Sequence, residues 1–386
     1  MQTTKIHRLT VVDALRGFAL ISIMLLHNIE HFDFYHMPEY LPAWIKAMDS
    51  VIWDTLFFLF GGKSYAIFAL LFGLTYHIQH SNQKKRGNDF SLRFLWRLFL
   101  LLCFGILNSV FFEGDILAFY AIIGVVLIPF RKLSNKAILL AAIFFMIQPL
   151  ELGRLIYVAF HSDYTVPSPD LGKYFGMAYE QFANGNFWEV AQTNLTTGRK
   201  AVILWSLGNG RFFQTAALFL LGFFLGRTQK FNPTPTNKKF WQKTLVTAIL
   251  VFISLFLMTR AIPETEWRET IQKTLQTAIT SWSNVAFTGI LVSSFVLFFE
   301  NTAARPWLDK LSPLGRMSLS NYVMQSIAGT LIYYGYGLGL YQYTGATFSL
   351  AIGIVLGILQ TLFSWWWFKS HKRGPLEQIW HQLTWL

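Results

Sequence analysis

The sequence predicts an all-α protein that crosses a membrane about ten times as one embedded unit, with both termini on the cytoplasmic side, and three observations predict it. Of 386 residues, 53% are hydrophobic and only 13% are charged, about half the charged share of an ordinary soluble domain. Mostly apolar runs near the roughly 20 residues that a helix needs to span hydrocarbon recur along the whole chain. The Lys and Arg residues between those runs fall unevenly on the two sides.

In order, the apolar runs are Ala14 to Ile29, Gly62 to Ile78, Phe94 to Phe112, Ile116 to Phe130, Ala137 to Ile156, Phe212 to Gly226, Leu245 to Thr259, Val285 to Phe299, Met317 to Tyr334 and Thr347 to Phe368. The stretch Val51 to Phe60 is also apolar and abuts Gly61-Gly62-Lys63, the pattern of a membrane-surface helix or a broken span. Residues 1–156 and 212–386 therefore form an N-terminal and a C-terminal helix group within one embedded domain. The segment 157–211 reads as a long extracytoplasmic loop with a helix-like stretch from Tyr174 to Val190. Phe231 to Lys243, with Pro233 and Pro235, reads as a linker.

With the N-terminus inside, nineteen of the 32 Lys and Arg lie in cytoplasmic segments, nine lie outside, and Arg16, Lys63, Arg93 and Arg97 fall within or at the edge of spans. This is the positive-inside pattern. The net charge of +12 is spread over short loops, which fits anionic lipid headgroups and not nucleic acid. Cys103, the single cysteine, excludes an intrachain disulfide. Asp13 and Arg16 inside the first span, and no small-residue cleavage site after it, mark a retained helix and not a signal peptide. Asn194-Leu195-Thr196 fits a glycosylation acceptor on the outer side.

Candidate functional residues are the ionisable groups at membrane depth, where a charge is costly unless paired or facing water. At about 100° per residue, Asp13, Arg16, Leu20, Met24, His27 and His31 share one face of the first span. Arg16 and His27 are three turns apart, roughly 16 Å. His27-Asn28-Ile29-Glu30-His31 has the H-x-x-E-H spacing. Three readings stay open: a zinc site with Glu30 as base and a third ligand from Asp54, Glu113 or Asp115; a metal-free catalytic or proton-handling site; or a polar helix end. Glu113 and Asp115 occupy a very short connector, where they can orient a histidine or bind an acceptor, and Asp115 can equally cap the next helix. Lys63, Arg93 and Arg97 can bind a phosphate-bearing donor, or the two arginines can simply snorkel. In the ninth span Asn321, Tyr322 and Gln325 bring two amides into an apolar helix and are expected to face the first.

Several ordered motifs carry a resemblance. Asp13-Ala14-Leu15-Arg16-Gly17-Phe18-Ala19-Leu20, Gly62-Lys63-Ser64-Tyr65 through Leu70-Leu71-Phe72-Gly73, and Gly114-Asp115-Ile116-Leu117 with Tyr120-Ala121 resemble the YeiB-like bacterial membrane proteins. Gly315-Arg316-Met317-Ser318-Leu319-Ser320-Asn321-Tyr322, Gln325-Ser326 and Gly374-Pro375-Leu376-Glu377 resemble the domain of unknown function 418. The first span also resembles those of transmembrane acyltransferases. That resemblance implies an acyl group passed from cytoplasmic acyl-CoA to an envelope glycan or lipid acceptor across the bacterial inner membrane, with a histidine near the outer end of an early span as base. His27 fits that position.

Two functions from different classes follow. In an acyltransferase, Arg16, Lys63, Arg93 and Arg97 hold acyl-CoA, His27 or His31 deprotonates the acceptor, and Asn28 or Tyr322 supports the oxyanion. In a transporter, the same groups line a path for an ion, metabolite or lipid. A metalloenzyme using His27, Glu30 and His31 stands as a further alternative, and the residues themselves imply no resident cofactor.

Overall fold

A computed structural model describes residues 9–30, 36, 38–161, 163–164 and 170–386. His31 lies outside them. The described residues are helical throughout, with no strand. The first half contains α1 (Thr10–Glu30), α2 (Ala43–Phe60), α3 (Ser64–Lys85), α4 (Ser91–Ser109), α5 (Leu117–Ile123), α6 (Leu127–Phe130), α7 (Asn135–Met146) and α8 (Pro149–Phe160). The expected long loop is itself mostly helical: α9 (Leu171–Asn184), α10 (Phe187–Thr193), a π-helical turn at Asn194–Gly198 and α11 (Arg199–Gly208). Then follow α12 (Arg211–Arg227), α13 (Pro235–Ala261), α14 (Glu269–Phe299), α15 (Arg305–Asp309), α16 (Ser312–Arg316), α17 (Ser318–Tyr333), α18 (Ala346–Trp367) and α19 (Pro375–Thr384).

Among the described residues, six helical segments are long and apolar enough to cross a membrane, or seven if α7 and α8, bent by 51°, count as one span. Of the runs read from sequence, Leu117–Phe130 is a shorter apolar helix, and α12 and α17 have 17 and 16 residues. α2 and α3 form one apolar stretch broken at Gly61-Gly62-Lys63.

The surface of this bundle is inverted relative to a water-soluble one. On α18 the buried residues are Ser349, Gly353, Gly357, Gln360 and Ser364, whereas Ile354, Ile358, Leu362 and Trp366 face outward. Small and polar residues inside with aliphatics outside is the arrangement that lipid, not water, stabilises. α13 carries the same outward face at Val246, Leu250, Ile253 and Leu257. The fold is that of a membrane protein.

Glycine lets the central helices touch backbone to backbone. A Cβ on Gly73 of α3 would fall 1.9 Å from the Phe219 carbonyl oxygen, and one on Gly222 of α12 would fall 1.8 Å from that of Leu70. α1 packs against α2, α3, α16, α17 and α18, and Asp13 and Arg16, on one face of it, form an ion pair at 3.0 Å. Gln325 reaches α1, donating to the Leu20 carbonyl at 3.4 Å and to Gln360 Oε1 at 3.0 Å, while Asn321 Nδ2 donates to Ser364 Oγ at 2.8 Å. Both amides thus work as glue between helices.

Helix starts inside an apolar bundle leave amides without partners, and two buried carboxylates supply them from other helices. Asp49 accepts from the Thr347 amide at 2.6 Å at the start of α18. Glu377 accepts from the Leu319 amide at 2.7 Å and from Ser320 Oγ at 2.6 Å at the start of α17. The two C-terminal motifs are therefore halves of one cap. Burial raises the Glu377 carboxyl above its ordinary range, against the hydrogen bonds that hold it down. Glu377→Ala strands these donors and should lower unfolding stability by about 2 kcal/mol, with a smaller loss for Glu377→Gln. An unchanged midpoint in detergent melts of the alanine variant would contradict the cap.

Candidate functional site

The site is built where α1, the α2–α3 break, the α4–α5 connector and the start of α12 converge. They enclose a cavity of about 630 Å³ lined by His27, Glu30, Lys63, Glu113, Asp115 and Tyr322 among others. Sequence reading named all six, from four separate stretches of chain. α11 and α14 complete the walls with Arg199, Trp205, Thr280 and Asn284.

α1 presents its polar stripe over two different spaces. His27 and Glu30 face the larger cavity, and the His27 ring lies 4.9 Å from that of Phe112. Three turns away, Arg16 faces a second cavity of about 240 Å³, shared with Arg97, Arg316, Glu377 and Trp380. Arg16 Nη2 also donates to Thr75 Oγ1 at 3.1 Å. Ile23, Ile116 and Tyr322 line both cavities and so form their common wall. Tyr322 Oη accepts from the Ile116 amide at 3.2 Å, which leaves the hydroxyl hydrogen to point into either space.

The α4–α5 hairpin positions the acids. Asp115 Oδ2 accepts from the Ala118 amide at 2.9 Å and Oδ1 accepts from Asn108 Nδ2 at 3.0 Å. The capping role is therefore real, and it coexists with a place on the cavity wall. Both Asp115 oxygens are thus bonded within the α4–α5 hairpin. Glu113 packs against Gly198, where a Cβ would fall 2.2 Å from Oε2. Asn194 holds the π-helical turn in place by donating to the Val110 and Phe111 carbonyls at 3.2 and 2.9 Å. Its side chain is fully buried, so it is no glycosylation acceptor in this fold.

Several sequence candidates lie elsewhere. Asn28 is fully buried between helices, donating to the Met24 carbonyl at 2.8 Å and accepting from Tyr333 Oη at 2.9 Å, and lines neither of these two cavities. Lys63 lines the larger cavity with His27, apart from Arg16, Arg93 and Arg97, because the glycine break turns it to that side. Arg93 and Arg97 hold the C-terminal helix: Arg93 donates to the Thr384 carbonyl at 2.7 Å, and the Arg97 guanidinium lies 4.2 Å over Trp380. Among the described residues, no group of three His, Cys, Asp or Glu is placed to hold a metal ion. His31 of the H-x-x-E-H stretch falls outside that description.

Sequence reading missed Arg199 and Arg211 as cavity residues. Arg199 Nη1 donates to the Asp115 carbonyl at 3.2 Å. Arg211 is the first residue of α12, after Gly210 with φ +64°. The carbonyl of Gly210 accepts from Gln148 Nε2 at 3.1 Å, and Gln148, itself at φ +60°, also donates to Ser281 Oγ at 2.8 Å. A non-glycine residue in the left-handed region is costly, and here it ties the α7–α8 bend to the turn that aims Arg211.

Burial is the main influence on Asp115, pushing its carboxyl up from 3.8 to about 6 despite the opposing hydrogen bonds and the Arg199 charge. A raised folded-state value means the protonated form is favoured by folding. Its stabilising contribution is complete below pH 3.8 and lost as pH rises to about 6. The stability difference between wild type and Asp115→Asn should therefore move by about 3 kcal/mol in favour of the asparagine variant across that window, measured by chemical unfolding at several pH values. A difference that does not vary with pH would contradict this assignment.

Comparison with known proteins gives similarities but no activity. Residues 225–386 match the profile described as "Protein of unknown function (DUF418)". Over 98% of its length the chain is similar to "Uncharacterized protein YxaH" of Bacillus subtilis (strain 168), 25% identical across 94% of that protein. It is equally similar, at 25% identity over 98% of this chain and 96% of the relative, to "Uncharacterized protein YeiB" of Escherichia coli (strain K12). A 39.9 kDa protein of Bacillus acidopullulyticus, "in amylase 3'region", is 25% identical over 98% of this chain and 94% of its own length.

Proposed function

We propose that this chain, a YeiB-like protein carrying the DUF418 region over residues 225–386, is a multi-pass acyltransferase of the bacterial inner membrane. In this reading it moves an acyl group from cytoplasmic acyl-CoA to a hydroxyl or amine of an extracytoplasmic sugar or lipid acceptor. The observation that carries the reading is the pair of cavities sharing Ile23, Ile116 and Tyr322, with arginines in one and an imidazole in the other. Orientation rests on the nineteen-to-nine asymmetry of Lys and Arg, which puts both termini and the smaller cavity on the cytoplasmic side. Shorter helices such as α12 and α17 count as spans in this topology.

Arg16, Arg97 and Arg316 give the smaller cavity the positive charge that phosphates of a CoA ester need. The acyl arm reaches the common wall. In the larger cavity the neutral His27 imidazole takes the proton of the acceptor hydroxyl as its oxygen attacks the thioester carbonyl. The tetrahedral oxyanion accepts a hydrogen bond from Tyr322 Oη, the one hydroxyl on both cavity walls that has its hydrogen to give. Collapse breaks the C–S bond, the thiolate recovers the proton from the imidazolium, and free CoA and an acylated acceptor result.

The test supplies labelled acyl-CoA, which does not cross membranes, to the cytoplasmic face of inverted vesicles containing the protein. Label should enter an acceptor facing the vesicle lumen, and His27→Ala should cut the rate at least about a hundredfold while leaving an inserted, folded protein. Full activity in the alanine variant contradicts His27 as base. Passage of a solute with no acyl transfer would instead support transport.

A further inference from the structure

Two helices begin at one corner of the larger cavity. α3 starts just after Lys63 and α12 starts at Arg211, and each start follows a glycine at positive φ, Gly62 at +75° and Gly210 at +64°. Gly62 is required here for space as well as for conformation. A Cβ on it would lie 2.7 Å from Asn284 Nδ2 and 3.3 Å from Arg211 Nη1. The glycine therefore lets a lysine, an arginine and an amide donor converge, together with the first amides of two long helices, whose partial charge is also positive.

Lys63 is 8% exposed, and its ammonium has the Phe57 carbonyl at 3.5 Å and the rings of Phe287 and Phe58 at 5.4 and 6.0 Å. Arg211 lies 4.6 Å over Tyr65 and 5.1 Å over Trp205 and its Nη1 donates to Gln214 Oε1 at 3.4 Å, while its buried Nε has no hydrogen-bond partner among the described residues. Among the described residues, neither cation is in an ion pair with a carboxylate. The charged neighbour acting on Lys63 is Arg211, of the same sign. Of the cavity's three carboxylates, Asp115 accepts from Ala118 and Asn108, Glu113 packs beside Gly198, and Glu30 lines the α1 wall. Ring faces and carbonyls soften a buried cation but do not neutralise it, and two unneutralised cations side by side are costly in an apolar bundle.

We infer that this corner, formed by Lys63, Arg211 and Asn284, is an anion site that takes the phosphate group of an amphiphilic acceptor. The rest of the cavity, with Leu26, Phe57, Phe60, Phe119 and Ile203 on its walls, receives hydrocarbon. A fork-shaped guanidinium and a point-charge ammonium together match a tetrahedral phosphate. The identification of the occupant as acceptor rests on the acyl-transfer reading, whereas the anion site itself is tested with no acyl donor present.

The experiment follows the unfolding midpoint of delipidated, full-length protein in detergent during titration with phosphatidylglycerol, phosphatidylcholine or inorganic phosphate. Phosphatidylglycerol should raise the midpoint at concentrations at least tenfold below those at which phosphatidylcholine acts. A shift of equal size with inorganic phosphate alone assigns the site to a free anion and overturns the amphiphile. Lys63→Met with Arg211→Gln should leave the ligand-free midpoint unchanged or higher, since it removes unneutralised charge, and should weaken the phosphatidylglycerol response at least tenfold. Equal responses to the two lipids in wild type, which need no variant, would overturn the anion site, as would a double variant that still prefers phosphatidylglycerol.

Discussion

The arrangement depends on the contact between α1 and α16. A Cβ on Gly17 would fall 2.2 Å from the Leu311 carbonyl oxygen, and one on Gly315 would fall 1.9 Å from that of Asp13. The two backbones therefore touch, and no other residue fits at either place. That contact presses the Asp13–Arg16 pair against the Gly315 carbonyl, which accepts from Arg16 Nη1 at 3.4 Å. With one end of α1 fixed so, its remaining turns run along the boundary between the two cavities, and Ile23 falls on their common wall.

A second constraint is electrostatic. Three carboxylates in this bundle, Asp49, Asp115 and Glu377, answer helix starts, and each ties together elements distant in sequence or closes a hairpin. Buried cations are treated differently at the two cavities. Around the smaller cavity Arg16 and Arg97 are bonded to protein groups, so this space has a fixed lining. At the corner of the larger cavity Lys63 and Arg211 have neutral partners, the Phe57 carbonyl at 3.5 Å and Gln214 Oε1 at 3.4 Å. Both pairs of cations line a cavity, the first held by a carboxylate and a hydroxyl and the second by neutral groups alone.

Much of this was legible in the sequence because helical periodicity carries it. The stripe from Asp13 to His27 needs only the 3.6-residue repeat, and Glu113 and Asp115 stand out because the connector holding them is so short. Arg199 and Arg211 read from sequence as loop charges, since no long apolar run encloses them. Asn209-Gly210 before an apolar run was the available sign that a helix begins at Arg211. Asn28 misleads in the other direction: it adjoins His27 in sequence, but one residue is about 100° of helix, enough to turn it into the packing against Tyr333. The partnership of Glu377 with Ser320 spans 57 residues and has no local signature.

The division of labour between the cavities is the central claim, and a structure of the purified protein with a non-hydrolysable acyl-CoA analogue tests it most directly. The account predicts density for the CoA phosphates beside Arg16, Arg97 and Arg316, with the acyl arm passing Tyr322 towards His27. Phosphates found in the larger cavity, or a single chamber open in turn to each side with no analogue bound, would contradict it.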